Sequence, residues 1–258
     1  MKYTVLTLFP GIIDAYFSSS IMAKALTRGF VEYRAVDIRD YALDKHRSCD
    51  DAPYGGGAGM LMLAEPLGRA LDAVLSDEAG RGRVIYLSPS GRPFNQELAR
   101  ELAAEKELIL LCGRYEGIDQ RIIDIYVDEE ISVGDYVLSS GEVAALILID
   151  ASYRLVEQVI TPASLEEESF DRGLLEYPQY TRPEIYATLK VPEILLSGHH
   201  ENIRRWRLEK SVEKTLTLRP DLIRLGEERE LFNAETRKII EQKSAKMAGR
   251  EKYGEGEI

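Results

Sequence analysis

Residues 108–121, LILLCGRYEGIDQR, decide how this chain folds. Leu108 to Leu111 with Cys112 make a short unbroken apolar run, the pattern of a strand buried on both faces. Glycines at 113 and 117 then punctuate a turn, and Ile118 and Ile122 recur at helical spacing. A strand, a glycine-rich turn and a helix in that order form one step of a parallel sheet covered by helices.

The same alternation runs outward on both sides. Strand-like runs occupy residues 3–8, 31–38, 84–87 and 131–138, and helical spacing marks 12–26, 66–75, 95–105, 118–126 and 142–159. After Ile160 the composition changes: TPASLEEESFDRG is polar, acidic and broken by Pro162 and Gly173, which predicts a linker over 161–173. The expected organisation is an α/β domain over 1–160 and a smaller, mostly helical domain over 174–258. The latter is predicted to carry helices over 201–218 and 234–246, with MAGREKYGEGEI frayed at the end. Neither an internal repeat nor a low-complexity tract interrupts this pattern.

Composition narrows the function. A chain of 258 residues that is 45% hydrophobic can bury a sizeable core. Its two cysteines, Cys49 and Cys112, provide neither a disulfide framework nor a cysteine-rich metal site, as a reducing compartment would favour. The apolar run in MKYTVLTLFPG stops at Pro10, and residues 143–149 are too few to span a bilayer, so a cytoplasmic protein with no membrane partner is expected. A net charge of −11 argues against indiscriminate coating of nucleic acid. Charge is nonetheless segregated: between His199 and Arg219, six Lys/Arg (Arg204, Arg205, Arg207, Lys210, Lys214, Arg219) face three Glu (Glu201, Glu209, Glu213).

Glycines cluster three times in the first domain, in PYGGGAGM (53–60), CGRYEG (112–117) and VGDYVLSSGE (133–142). No glycine precedes Lys-Ser or Lys-Thr as a phosphate-cradling loop requires. Met60 falls where GxGxxG needs its third glycine, so the dinucleotide fingerprint is absent too. Any single cluster reads most simply as a sharp turn. In an open parallel sheet, however, ligands bind beyond the carboxyl ends of the strands, where these loops and SPSG (88–91) would converge. Backbone-lined walls without a cationic phosphate site suit an adenosine that carries no phosphates.

DKHRSCDDAPYGGGAGM (44–60), VIYLSPSGR (84–92), LCGRYEGIDQR (111–121), ISVGDYVLSSGE (131–142), YTRPE (180–184) and SGHHENIRRWR (197–207) together resemble the bacterial tRNA (guanine-N1)-methyltransferases in order and spacing. The resemblance covers nearly the whole chain. It implies the SPOUT fold, a parallel sheet with a deep trefoil knot, and a homodimer that binds S-adenosylmethionine. The implied cofactor walls are Tyr86, Leu87, Ser88 and Pro89; then Gly113, Tyr115, Glu116 and Gly117; then Ile131, Ser132, Val133, Gly134, Tyr136, Leu138 and Gly141. It also implies the activity, methylation of N1 of the guanine at position 37 of tRNA, next to the anticodon, with the anticodon stem-loop rather than DNA as partner. A catalytic Mg²⁺ is compatible with it, and no metal ligands are assigned.

Methyl transfer to N1 of guanine requires that N1 lose its proton to a base, while a donor near O6 stabilises the developing charge. The resemblance gives the donor role to Arg154 in DASYRLV and the base to Glu168 in EEESF, where the family pattern has aspartate. Glu166, Glu167 and Asp171 are rival carboxylates. Other departures are Ser140 where a glycine is usual, Glu157 for proline and Gln179 for histidine. A positive φ at 140 would make the serine narrow the pocket. RNA contact falls to the basic second domain, with Arg182, His46 and Arg47 as further candidates and Trp206 expected in the core. Two other readings stand beside this one: a noncatalytic RNA-binding relative, and a methyltransferase for another RNA position.

Overall fold

The computed structural model describes residues 1–76, 82–161, 168–170 and 172–253, with side chains as far as residue 247. The chain forms two compact units, Met1–Ile160 and Thr161–Ile258.

In the first unit the strands are β1 (Lys2–Thr7), β2 (Glu32–Asp37), β3 (Asp50–Asp51), β4 (Leu61–Met62), β5 (Arg83–Pro93), β6 (Glu107–Leu111) and β7 (Glu129–Ser132). Five of them make one parallel sheet in the order β2-β1-β6-β5-β7, while β3 and β4 pair antiparallel on their own. The helices are α1 (Pro10–Phe17), α2 (Ser20–Thr27), α3 (Ala64–Leu75), α4 (Gln96–Ala103), α5 (Gln120–Tyr126) and α6 (Gly141–Tyr153).

Strand alternation distributes these helices over two faces. Leu108 and Leu110 of central β6 join Tyr3 and Val5 against Phe17, Leu98 and Leu148, from α1, α4 and α6. Ile109 and Leu111 join Leu6 against Leu67, Leu71 and Ile122, from α3 and α5. Strand β6 is therefore apolar from Leu108 to Leu111 because both of its faces are covered, and each such buried side chain contributes about 1.5–3 kcal/mol.

Several boundaries differ from expectation for local reasons. The helix expected over 12–26 is two, because the hydroxyls of Ser18 and Ser19 both donate to the Ala15 carbonyl and Ser20 takes φ of +54°. Helix α6 stops at Tyr153 rather than 159, and three-residue turns such as Leu155 N–H to Ser152 O follow it. Strand β7 ends at Ser132, whose hydroxyl accepts from Gly134 N–H as the chain turns away.

Strand β5 contains the feature that shapes the site. Both Leu87 and Arg92 pair with Ile131, so residues 88–91 leave the ladder as an excursion and return to the same partner. Ion pairs tie the start of β5 and the return of the excursion together: Arg83 meets Glu129 and Glu101, and Arg92 meets the same two carboxylates. On its return the chain passes so near β7 that a Cβ at Gly91 would lie 2.4 Å from the Ile131 nitrogen.

The second unit contains α7 (Glu193–Leu196), α8 (His200–Leu218), α9 (Pro220–Glu228), α10 (Ala234–Tyr253) and a small hairpin of β8 (Ile185–Tyr186) and β9 (Leu189–Lys190). Its core is Leu174, Val212, Ile223, Phe232, Ile239 and Ile240. Helix α9 was not expected, although Pro220 at its first position is a helix-start signal. Helix α10 runs past Met247 to Tyr253, and the rest of the tail expected to fray lies outside the described residues.

Gly91→Ala is expected to lower the unfolding free energy by about 2 kcal/mol or more, because backbone rather than a movable side chain occupies the space. Denaturant titration of the purified variant against wild type measures it.

Candidate active site

The excursion within β5, the loop after β6 and the end of β7 with the segment that follows it line a cavity of about 210 Å³, formed by residues 86–89, 113–117, 131–134, 136–141 and Ala144. All the residues that the sequence nominated for the cofactor, from Tyr86 to Gly141, meet in this one space. Its third wall depends on a close backbone crossing. Gly141 N–H donates to Gly113 O at 2.9 Å, and a Cβ at 141 would fall 2.6 Å from Gly113 N and 2.8 Å from Cys112 Cα. Ser140, beside it, is extended with φ of −160°, a conformation any residue adopts, so the serine costs no backbone strain.

The second wall is tied to the glycine loop of residues 53–60. Glu116 N–H donates to Met60 O and Met62 N–H to Gly117 O, both at 3.0 Å. Tyr115 turns the chain with φ of +57°, and its hydroxyl donates to Asp50 at 3.1 Å. Burial first, and then this bond to a carboxylate, raise the Tyr115 hydroxyl above its ordinary pKa. The Tyr86 hydroxyl is raised too, by burial and then by Glu130, so it stays a neutral donor on the first wall. Behind Gly113 the fully buried Cys112 thiol is pushed well above its usual value, which makes it a packing group rather than a nucleophile.

Sequence reasoning passed over Arg114. Its Nε donates to Oε2 of Glu142 at 3.1 Å, its guanidinium lies 4.3 Å from the centroid of the Phe9 ring, and it lines the cavity. Glu142 is completely buried and also accepts from the Thr7 hydroxyl. A signal was available: a single carboxylate near the start of the apolar helix GEVAALILI needs a cationic partner.

The family described as tRNA (Guanine-1)-methyltransferase TrmD matches residues 1–225. The chain belongs to this family. A tRNA (guanine-N(1)-)-methyltransferase of Treponema denticola is 61% identical over 242 residues, which is 94% of this chain and 98% of that protein. Those of Borreliella burgdorferi and Treponema pallidum are 59% and 55% identical, over 86% and 94% of this chain and 92% and 96% of their own lengths.

The two catalytic candidates of the family pattern sit elsewhere. Arg154 caps the C-terminus of α6, the helix whose N-terminus forms part of the cavity, and is half-buried. Glu168 belongs to the second unit, where it lines a cavity of about 330 Å³ with Arg172, Tyr177, Arg204, Arg207 and Asn233. Its rivals Glu166, Glu167 and Asp171 lie outside the described residues.

The basic stripe of α8 is partly neutralised. Arg204 pairs with Glu201 at 2.7 Å and Glu235 at 2.9 Å, Arg205 with Glu209 at 3.2 Å, and Lys210 with Glu213 at 2.9 Å. Trp206 is half-buried beside Tyr180, ring centroids 6.3 Å apart, and is not part of the core cluster in which it was expected. Among the described residues no group of three or more His, Cys, Asp or Glu could hold a metal ion. Among the described residues no helix is long and apolar enough to cross a membrane.

Removing one partner of a buried pair leaves the other uncompensated. Glu142→Ala is therefore expected to destabilise the first unit by about 3 kcal/mol, read as a lowered denaturation midpoint.

Proposed function

We propose that this chain transfers the methyl group of S-adenosylmethionine to N1 of the guanine at position 37 of tRNA, next to the anticodon, and that it works as a cytoplasmic homodimer. The observation that carries this reading is the convergence of the three loop walls on one cavity in a member of the methyltransferase family. The lining fits the cofactor. It combines apolar surface from Leu87, Ile131, Val133, Leu138 and Ala144 with backbone groups and three tyrosines, and it lacks the cationic cradle a polyphosphate would need. The close packing of the Gly141 backbone against Cys112 and Gly113 supports a knotted path for this segment.

When bound, the cofactor supplies an electrophilic methyl group on a sulfonium. This chain's residues handle the proton and the charge. Glu168 takes the proton from N1, and Arg154 donates to O6, where negative charge develops as N1 attacks. Glutamate has one methylene more than the family's aspartate, and positioning matters: displacement by roughly an ångström can cost about a hundredfold in rate.

Arg154 supplies the argument for a dimer. A helix of 13 residues such as α6 is about 20 Å long, so Arg154 stands that far from the cavity end of its own helix. It can act on a target base only in a second copy's cavity. Exposed apolar side chains on two helices in contact, Ile12 of α1 with Val143 and Ile147 of α6, offer surface for that copy to cover. The second unit would grip the anticodon stem-loop. Its ion pairs along α8 are solvent-exposed and therefore weak, so RNA phosphates can displace the carboxylates.

The test is transfer of labelled methyl from S-adenosylmethionine to unmodified tRNA with guanine at 37, with and without Mg²⁺, followed by mapping of the modified nucleoside. Label on N1 of that guanine is expected. Cofactor binding without label would favour the noncatalytic reading, and label at another position would favour a different target.

Glu168→Gln should abolish transfer and leave cofactor affinity nearly unchanged; full activity would move the base to another carboxylate. Ile147→Glu should yield a monomer by sedimentation, with transfer lost alongside.

A further inference from the structure

We propose that Arg114 anchors the amino-acid end of the cofactor, its guanidinium fork taking the carboxylate of the methionyl moiety. This rests on reading the cavity as the S-adenosylmethionine site. That molecule has one anionic group, and Arg114 is the one cationic side chain among the described residues lining the cavity.

The fork is built in advance. Nε is committed to Glu142, the guanidinium lies against the Phe9 ring, and Glu142 is itself held by Thr7 and fully buried. Ordering a free arginine on binding would cost rotamer entropy, and here that cost is met by folding. Among the described residues no protein acceptor takes a hydrogen bond from Nη1 or Nη2, which leaves those donors for a carboxylate.

Glu142 also resolves an electrostatic conflict. A bare guanidinium beside a sulfonium would repel it. Paired with a buried carboxylate, Arg114 keeps its directional donors while its net charge is cancelled locally. A positive charge alone is thus not what the site offers; its geometry is.

The experiment is calorimetric titration with two ligands: S-adenosylhomocysteine, which keeps the amino-acid end, and 5′-methylthioadenosine, the same nucleoside thioether without it. Arg114→Lys retains a counter-charge for Glu142 but loses the fork. It should weaken S-adenosylhomocysteine by roughly 10- to 100-fold and leave methylthioadenosine unchanged. The double variant Arg114→Gln, Glu142→Gln removes the buried charge altogether and should show the same selective loss.

Equal weakening of both ligands would reduce Arg114 to a counterion of Glu142 and overturn the proposal, as would no change in either. Loss of tRNA affinity with both nucleosides unaffected would assign the fork to a phosphodiester and overturn it as well. Wild-type protein that binds neither ligand would instead sink the reading of the cavity on which it rests.

Discussion

The site depends on one close contact between two pieces of main chain. Beyond the end of β6 the backbone of Gly141 packs directly against Cys112 and Gly113, and only a residue without a Cβ fits at position 141. The hydrogen bond from Gly141 N–H to Gly113 O joins the two walls where they meet. Because the contact is backbone on backbone, it presents hydrogen-bonding groups to the cavity at fixed positions, which suits recognition of a purine edge without charge.

The buried carboxylate of Glu142 sits one residue beyond that contact. An ionised group inside an apolar helix is costly, and the protein offsets the cost with Thr7 from β1 and Arg114 from the β6 loop. Three segments distant in sequence are thereby bound to one charge. The network around Arg83 and Arg92 does similar work at the opposite wall, tying the start of β5 to the return of the excursion that carries Ser88 and Pro89. Loops of this site are consequently held by ionic ties as well as by the backbone hydrogen bonds between them.

In the second unit, charge is arranged differently. An excess of basic residues along α8 coexists with carboxylates on the same helix and on α10, so the stripe is self-paired at rest. Exposed pairs of this kind contribute little stability and exchange readily for stronger anionic partners. Among the described residues, this arrangement leaves the stripe of α8 largely paired with carboxylates of the same unit.

What the sequence determined by itself was whatever local pattern encodes: the parallel α/β sheet, from apolar runs alternating with helical spacing, and the loops that line the cavity, from glycine turns recognisable in order along the chain. Helix ends were less legible, since serine hydroxyls at 18 and 19 and turns after Tyr153 act against a periodicity that would otherwise continue. Only the tertiary structure decided the pairing of Arg114, because its partner Glu142 lies 28 positions away, and only it settled that Ser140 is extended and therefore unstrained. The reason is physical: propensity and periodicity act over a few residues, whereas a buried charge pair and a backbone crossing are defined by segments that meet after the chain has folded.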